Sequence, residues 1–347
     1  MPLDASARLI TAPSNEAYAA ARRLSDGQAK PLGALGDLET LGAWVASCQG
    51  ICPPHQLDDV RVVVFAGDHG IAADGVSAYP AEITPAMVYG IAGGHAGVSA
   101  LAAANNVRVS IYDLAVAVDF PDLPDEISRF KVRQSSGAIH LTDALTRAEV
   151  EQALAAGEEI AAEQIADGAQ LLISGDLGIG NTTIAAALVA ASLGVPASAV
   201  TGRGTGIDEG TLVHKTALIE AALARAGERV TDPVERLAAL GAADFAAAVG
   251  FISGAARRGV PVVLDGVIAV AEALVAEDYA PGTKAWLQAG HRSTEPGQAL
   301  GLDRLGLEPL VDFSMRLGEG SGAVLAVPMI RSAVAALTGI AQLADLT

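Results

Sequence analysis

Short, almost wholly apolar runs alternate with longer Ala- and Leu-rich stretches through most of this chain, and that alternation limits the fold more than any other feature. The runs fall at 61–66 (RVVVFA), 107–112 (VRVSIY), 169–174 (AQLLIS), 261–264 (PVVL) and 284–288 (KAWLQ), and helical stretches fall at 146–166, 182–193, 208–226 and 234–257. A strand that is apolar on both sides has to be covered on both faces. The spacing therefore predicts an α/β fold, a doubly wound, mainly parallel sheet with helices above and below. Residues 17–46 and 322–346 read as helices outside the alternation. They predict a small helical domain built from both chain ends, 1–55 plus 322–347, beside a large α/β domain at 56–321. No internal repeat is visible, and 347 residues suit one large or two modest domains.

The chain is 51% hydrophobic but only 4% aromatic, so its core must be built from Ala, Val, Leu and Ile. Its net charge of −18 repels a phosphate backbone, which argues against nucleic acid as a partner. An anionic ligand would need local devices: helix N-termini, backbone N–H groups and a few placed cations. Cys48 and Cys52 are too few for a disulfide framework and suit a reducing cytoplasm. With His55 they make a C-x3-C-x2-H cluster, either a partial metal site without a fourth ligand or small residues near a helix end. The N-terminal residues lack a basic region followed by an apolar core, so no signal peptide is expected. The uncharged stretch 177–202 contains Asn181, Thr182, Thr183, Pro196 and several glycines, and is not expected to span a membrane.

Ligands of open α/β sheets bind beyond the carboxyl ends of the strands, and here the loops after the apolar runs are rich in Gly, Asp, His and Arg. After 169–174 comes GDLGIGNTT (175–183), a Gly-rich turn leading into a helix. It reads either as a phosphate cradle of backbone N–H groups or as a tight turn capped by Asn181 or Thr182. It is not a Walker loop, and Thr183 stands where a full G-x-G-x-x-G has its third Gly. TGRGTGID (201–208) leads into a helix that Asp208 can cap and that carries His214 and Lys215, Lys215 being either an anion ligand or a surface charge. After 61–66, Asp68 and His69 are an acid–base pair, a metal pair or a loop-fixing polar pair. GHRSTEPG (290–297) opens a helix at Pro296. In RLGEGSG (316–322), Glu319 between glycines is either a base with a raised pKa or an ordinary loop charge.

Taken in order, GDHGIAADGVSAYP, GDLGIGNTT, GRGTGIDEGTLVHK, PVVLDGVIA, GHRSTEPG and LEPLVDFSMRLGEGSGA closely resemble the nicotinate-nucleotide:dimethylbenzimidazole phosphoribosyltransferases, the lower-ligand enzymes of cobalamin assembly. The likeness runs from about residue 32 to the C-terminus, weakest over 117–164. It implies a homodimer with no metal and no cofactor that takes small-molecule substrates, nicotinate mononucleotide and a benzimidazole-type base. By the same likeness Glu319 falls on the catalytic base and Asp176 on a second functional acid, usually Glu. Ser77 and Leu317 fall on the benzimidazole pocket. Gly178, Gly180, Asn181 and Thr182 surround the ribose phosphate with Gly204 and Lys215 nearby, and His291 joins the substrate-binding set. Asp176 is one methylene shorter than the family's Glu, and Ala86 stands where many members carry Gln. The first shortens the reach of that acid into the site, and the second implies a pocket that accepts other bases, such as benzimidazole or adenine.

Two other readings compete. A nicotinamide-dependent dehydrogenase would use the Gly-rich turns, but the third Gly is missing and no acid marks a second strand end about 20 residues on. A catalytically silent base- or nucleotide-binding relative would not need Glu319 between its glycines.

Overall fold

The computed structural model describes residues 8–346; residues 1–7 of the expected helical domain and Thr347 lie outside the described residues. Five parallel strands, β1 (Val60–Gly67), β2 (Arg108–Ala115), β3 (Leu171–Leu177), β4 (Val262–Leu264) and β5 (Leu287–Ala289), form a sheet in the order β2-β1-β3-β4-β5. Successive side chains of a strand point to opposite faces. Val63 and Phe65 accordingly enter one core, and Val62, Val64 and Ala66 enter another. Helices Arg147–Ala166, Asn181–Leu193, Ala243–Arg257 and Val267–Tyr279 cover the first face. Helices Ile83–Ala92, Gly97–Ala104 and Ser321–Gly339 cover the second. The doubly wound architecture is the one the alternation predicts.

Small residues set how closely these layers pack. A Cβ on Gly157 would lie 1.8 Å from the Ala247 carbonyl oxygen, and one on Gly250 would lie 2.1 Å from that of Leu154. Helices Arg147–Ala166 and Ala243–Arg257 thus touch backbone to backbone, which is how a chain with few aromatics fills a dense interior.

The two chain ends are tied together. The Gln28 side chain donates to the carbonyls of Ala336 and Leu337, both at 2.9 Å, and Ala29 N–H donates to Ala341 O at 2.9 Å. Helix Ser321–Gly339 also lays Val324, Val327 and Ile330 on the sheet, so it serves the end cluster and the central core at once. Among the described residues it is one of two apolar helical stretches long enough to cross a membrane, but half of its most apolar window is buried inside the fold. The other, Ile83–Ala104, is two helices parted at Gly93 and Gly94.

Several element boundaries differ from expectation. The segment 17–46 holds two helices, Asn15–Asp26 and Asp37–Gln49, because the chain must turn at Gly27 to reach the C-terminal helix. The segment 234–257 is likewise broken at Gly241 and Ala242, whose extended ψ angles part Pro233–Leu240 from Ala243–Arg257. The expected strand 284–288 begins as a short 3₁₀ turn, Thr283–Trp286, because the Glu277 carboxylate accepts from the N–H groups of Gly282 and Lys284. Helix 322–346 ends at Gly339, where Gln342 pairs with Gln28. A two-stranded parallel sheet, β6 (His291–Ser293) with β7 (Val311–Met315), was not foreseen. Cys48 is a packing residue whose thiol is pushed up to about 12 by burial, and no three His, Cys, Asp or Glu side chains converge as a metal site among the described residues.

Candidate active site

In the order β2-β1-β3-β4-β5 the connections leave β1 and β3 in opposite directions, so a crevice opens beyond their carboxyl ends. Two of the expected loops meet there, GDHG after β1 and GDLGIGN at the end of β3. They are in direct contact: a Cβ on Gly178 would lie 2.1 Å from Gly67 O and 2.6 Å from the His69 ring. Helix Asn181–Leu193 then starts with Gly180, at φ 95°, as its N-cap. Neither Asn181 nor Thr182 caps that helix, as one sequence reading had it. The Asn181 amide instead donates to Asp176 Oδ1 at 2.7 Å, which leaves the helix N-terminus to be approached from the crevice.

The second Gly-rich loop folds over this helix start. Asp208 caps its own helix, accepting from Thr211 N–H at 2.8 Å. Seven residues on, Lys215 is fully buried, so the surface-charge reading falls. Its ammonium donates to Thr182 Oγ1 at 2.8 Å and to Gly202 O at 3.2 Å. Burial lowers its pKa to about 8, and Glu295 opposes that shift. Glu295 Oε1 accepts Gly204 N–H at 2.8 Å, and Arg316 donates to Gly204 O at 3.0 Å, so the Gly204 peptide is held at both ends.

A cavity of ≈ 100 Å³ has Asn181, Thr182, Gly204, His291 and Leu317 in its wall, five of the expected substrate residues. A second cavity of ≈ 400 Å³ adjoins it and shares Glu295 and Arg316. Together they reach the range of roughly 300–1,000 Å³ typical of small-molecule sites. β6 carries His291 to this wall, where its Nε2 lies 3.4 Å from Asp265 Oδ1. Burial lowers the pKa of that ring, but Asp265 more than offsets it and leaves the pKa raised. Ser77 is not in the wall. Its hydroxyl lies 3.1 Å from that of Thr205, which is, so the 75–80 loop leans on the second Gly-rich loop.

Glu319 sits at φ 64° between two left-handed glycines and is only 4% exposed. Leu317 and Gly318, the two residues before it, form part of the cavity wall. Its Oε2 accepts Val98 N–H at 3.0 Å, at the start of helix Gly97–Ala104, and Oε1 accepts no hydrogen bond among the described residues. Burial raises its pKa, Val98 opposes the shift and nearby Asp265 adds to it. An acid of this kind is held close to the point of exchanging a proton.

Asp176 and His69 lie deeper. The Asp176 carboxyl is pushed well above the usual range by burial and then by Asp244. His69 Nε2 lies 3.0 Å from Asp244 Oδ2, while Asp68 turns away to accept Ala117 N–H at 2.8 Å. Of the three readings for Asp68 and His69, neither the acid–base pair nor the metal pair matches this geometry.

Sequence reasoning did not assign roles to Asp244, Asp265, Glu272, Glu295 or Arg316. Asp265, Glu295 and Arg316 stood inside recognised motifs. Asp244 is the one acid of its helix, and Glu272 stands in the apolar first part of a helix whose other acids, Glu277 and Asp278, come at its end; both are completely buried, and Glu272 Oε2 accepts from the Ser174 hydroxyl at 3.1 Å.

Comparison with known proteins sets the class first: a phosphoribosyltransferase family model matches residues 10–346. The nicotinate-nucleotide–dimethylbenzimidazole phosphoribosyltransferase of Mycobacterium avium is 53% identical over 336 residues, 97% of this chain and 96% of that protein. The protein of that name from Mycobacterium tuberculosis is 52% identical, covering 97% and 92%. The crystal structure of CobT from Thermus thermophilus superposes with a TM-score of 0.92 at 44% identity, covering 95% of this chain and 98% of that one. The chain belongs to the nicotinate-nucleotide–dimethylbenzimidazole phosphoribosyltransferase family.

Proposed function

We propose that this chain transfers the phosphoribosyl group of nicotinate mononucleotide to 5,6-dimethylbenzimidazole, giving α-ribazole 5′-phosphate and nicotinate for the cobalamin lower ligand. The observation that carries the reading is the buried Lys215 ammonium on Thr182 at the N-terminus of helix Asn181–Leu193, next to a cavity in a protein otherwise strongly acidic. A phosphate monoester gains there from a helix N-terminus and a cation shielded from water. Gly178, Gly180, Asn181, Thr182 and Gly204 surround that end, with Asp176 holding the Asn181 amide in place. Leu317, Ser77 and His291 belong to the aromatic end.

The unprotonated nitrogen of the benzimidazole attacks C1′ as the bond from C1′ to the pyridinium nitrogen breaks, and the bonding pair returns to the nicotinate ring. Positive charge develops on the entering base, whose other N–H becomes acidic. Glu319 Oε1 takes that proton, and the buried carboxylate gains a neutral form that its surroundings already favour. Attack opposite the leaving ring turns a β-linked nucleotide into an α-linked product. Positioning contributes through the pinned phosphate, within the limit of roughly 7–11 kcal/mol for well-oriented reactants.

The chain works as a cytoplasmic homodimer in this reading, and residues 1–55 with 322–347 act as a small domain beside 56–321. Both cysteines are free, as a reducing compartment requires. An assay of nicotinate release with and without 5,6-dimethylbenzimidazole tests the reaction. Release that needs the base supports it; nucleotide binding without release identifies a silent relative. Analytical ultracentrifugation tests the dimer.

A further inference from the structure

His69 is sealed from solvent and absent from the cavity wall, yet its ring stands between two acceptors. Nδ1 lies 3.1 Å from the Ile179 carbonyl oxygen and Nε2 lies 3.0 Å from Asp244 Oδ2. A neutral imidazole carries one N–H, whereas an imidazolium carries two. Both contacts are hydrogen bonds from the ring only when it is charged. The Ile179 peptide is pinned on its other side as well, its N–H donating to Thr84 Oγ1 at 3.1 Å. Gly178 rests against the same ring, with room for no Cβ.

We propose that His69 is a positioning residue for the phosphate end of the nucleotide: clamped as an imidazolium between Asp244 and the Ile179 carbonyl, it holds the turn that aims Gly180, Asn181 and Thr182 into the crevice. The proposal rests on the nucleotide reading above. Its surroundings agree with the charge. Asp244 comes from helix Ala243–Arg257 and Asp176 from the end of β3, and the edge of Phe245 closes the pocket at 6.0 Å between ring centroids. Burial pulls the pKa of the ring down, but Asp244 and then Asp176 carry it up to about 9. The imidazolium answers two needs. It balances part of the buried acid cluster of Asp176, Asp244 and Glu272, and it places a fixed positive charge behind a turn that receives an anion.

Two measurements decide it. In the unaltered protein, ¹⁵N NMR of imidazole-labelled histidine, with His69 assigned by its loss in His69→Gln among the six histidines, should show both ring nitrogens protonated at neutral pH and titration near pH 9. A neutral ring at pH 7 overturns the proposal, and this readout does not depend on turnover. It also separates His69 from Lys215, which titrates in the same site at about 8. In His69→Gln, a donor remains but the charge is lost. The KM for nicotinate mononucleotide should rise at least about tenfold, with kcat and the KM for the base within about threefold. An unchanged nucleotide KM overturns the proposal, and so does a parallel fall of kcat, both affinities and Tm, which would mark a purely structural residue. If the wild-type protein turns over neither substrate, the reaction reading fails while the NMR result still decides the state of the ring.

Discussion

Replacing Glu319 with Gln isolates proton transfer with little other disturbance. The glutamine side chain has nearly the same shape and keeps an acceptor for Val98 N–H, now at 3.0 Å from Oε2, so the Gly97–Ala104 helix start retains its partner. What is lost is the ability to take a proton from the entering base. General-base catalysis of this kind is worth about 10²–10⁴-fold, or about 2.7–5.4 kcal/mol of barrier at 1.36 kcal/mol per tenfold. The stability effect has the opposite sign. The folded-state pKa of Glu319 is raised, so the folded protein binds the proton more tightly than the unfolded chain does. Stability from this group is present at low pH and is lost as pH rises from the ordinary carboxyl pKa through the raised one. Above the raised pKa this group costs stability, so Glu319→Gln should hold or raise Tm there while lowering kcat at least about a hundredfold. Steady-state nicotinate release and a thermal melt on the same samples measure both. The wild-type pH profile should lose kcat as pH falls through the raised pKa. A variant with wild-type kcat would sink the assignment of the base; a fall of kcat and Tm together would make Glu319 a structural residue.

Other substitutions test other parts of the molecule. Lys215→Met should raise the KM for nicotinate mononucleotide by at least about tenfold with kcat within about threefold, and wild-type nucleotide affinity should weaken as pH rises through about 8; identical constants for the variant would return Lys215 to a packing role. Because that pKa is lowered on folding, the unfolded chain binds more protons above pH 8, and the stability contribution of Lys215 should rise between pH 8 and its ordinary value. Asp176→Asn keeps an acceptor for the Asn181 amide and removes an acid whose interaction raises the His69 pKa, so that pKa, followed by NMR, should fall; an unmoved value would contradict the coupling. Gly157→Ala places a methyl 1.8 Å from Ala247 O and should cost about 1–3 kcal/mol, seen as a clear drop in Tm; an unaltered melt would show that the two helices part without strain.

The sheet, its two covered faces and the place of the crevice were legible in the sequence because they follow from hydrophobic periodicity and from Gly-rich turns after apolar runs, both local properties. Asp208 capping its helix and Pro296 opening another were legible for the same reason. The short pair β6 and β7 was not. Each strand is short, three and five residues, and β7 carries exposed polar residues instead of the apolar run that marked the central strands.

The site divides in the same way. The loops bearing Asn181, Thr182, Gly204 and Lys215 announced themselves by composition, but whether Lys215 met solvent or Thr182 was a question of burial. His69 stood next to Asp68 in the chain and paired with Asp244, 175 residues away. Local propensity and patterning belong to neighbouring residues and can be read from order alone. Charge states, partners and depth depend on what the fold brings near, since removal from water and a facing carboxylate, not residue identity, decide whether an ammonium or an imidazole keeps its proton.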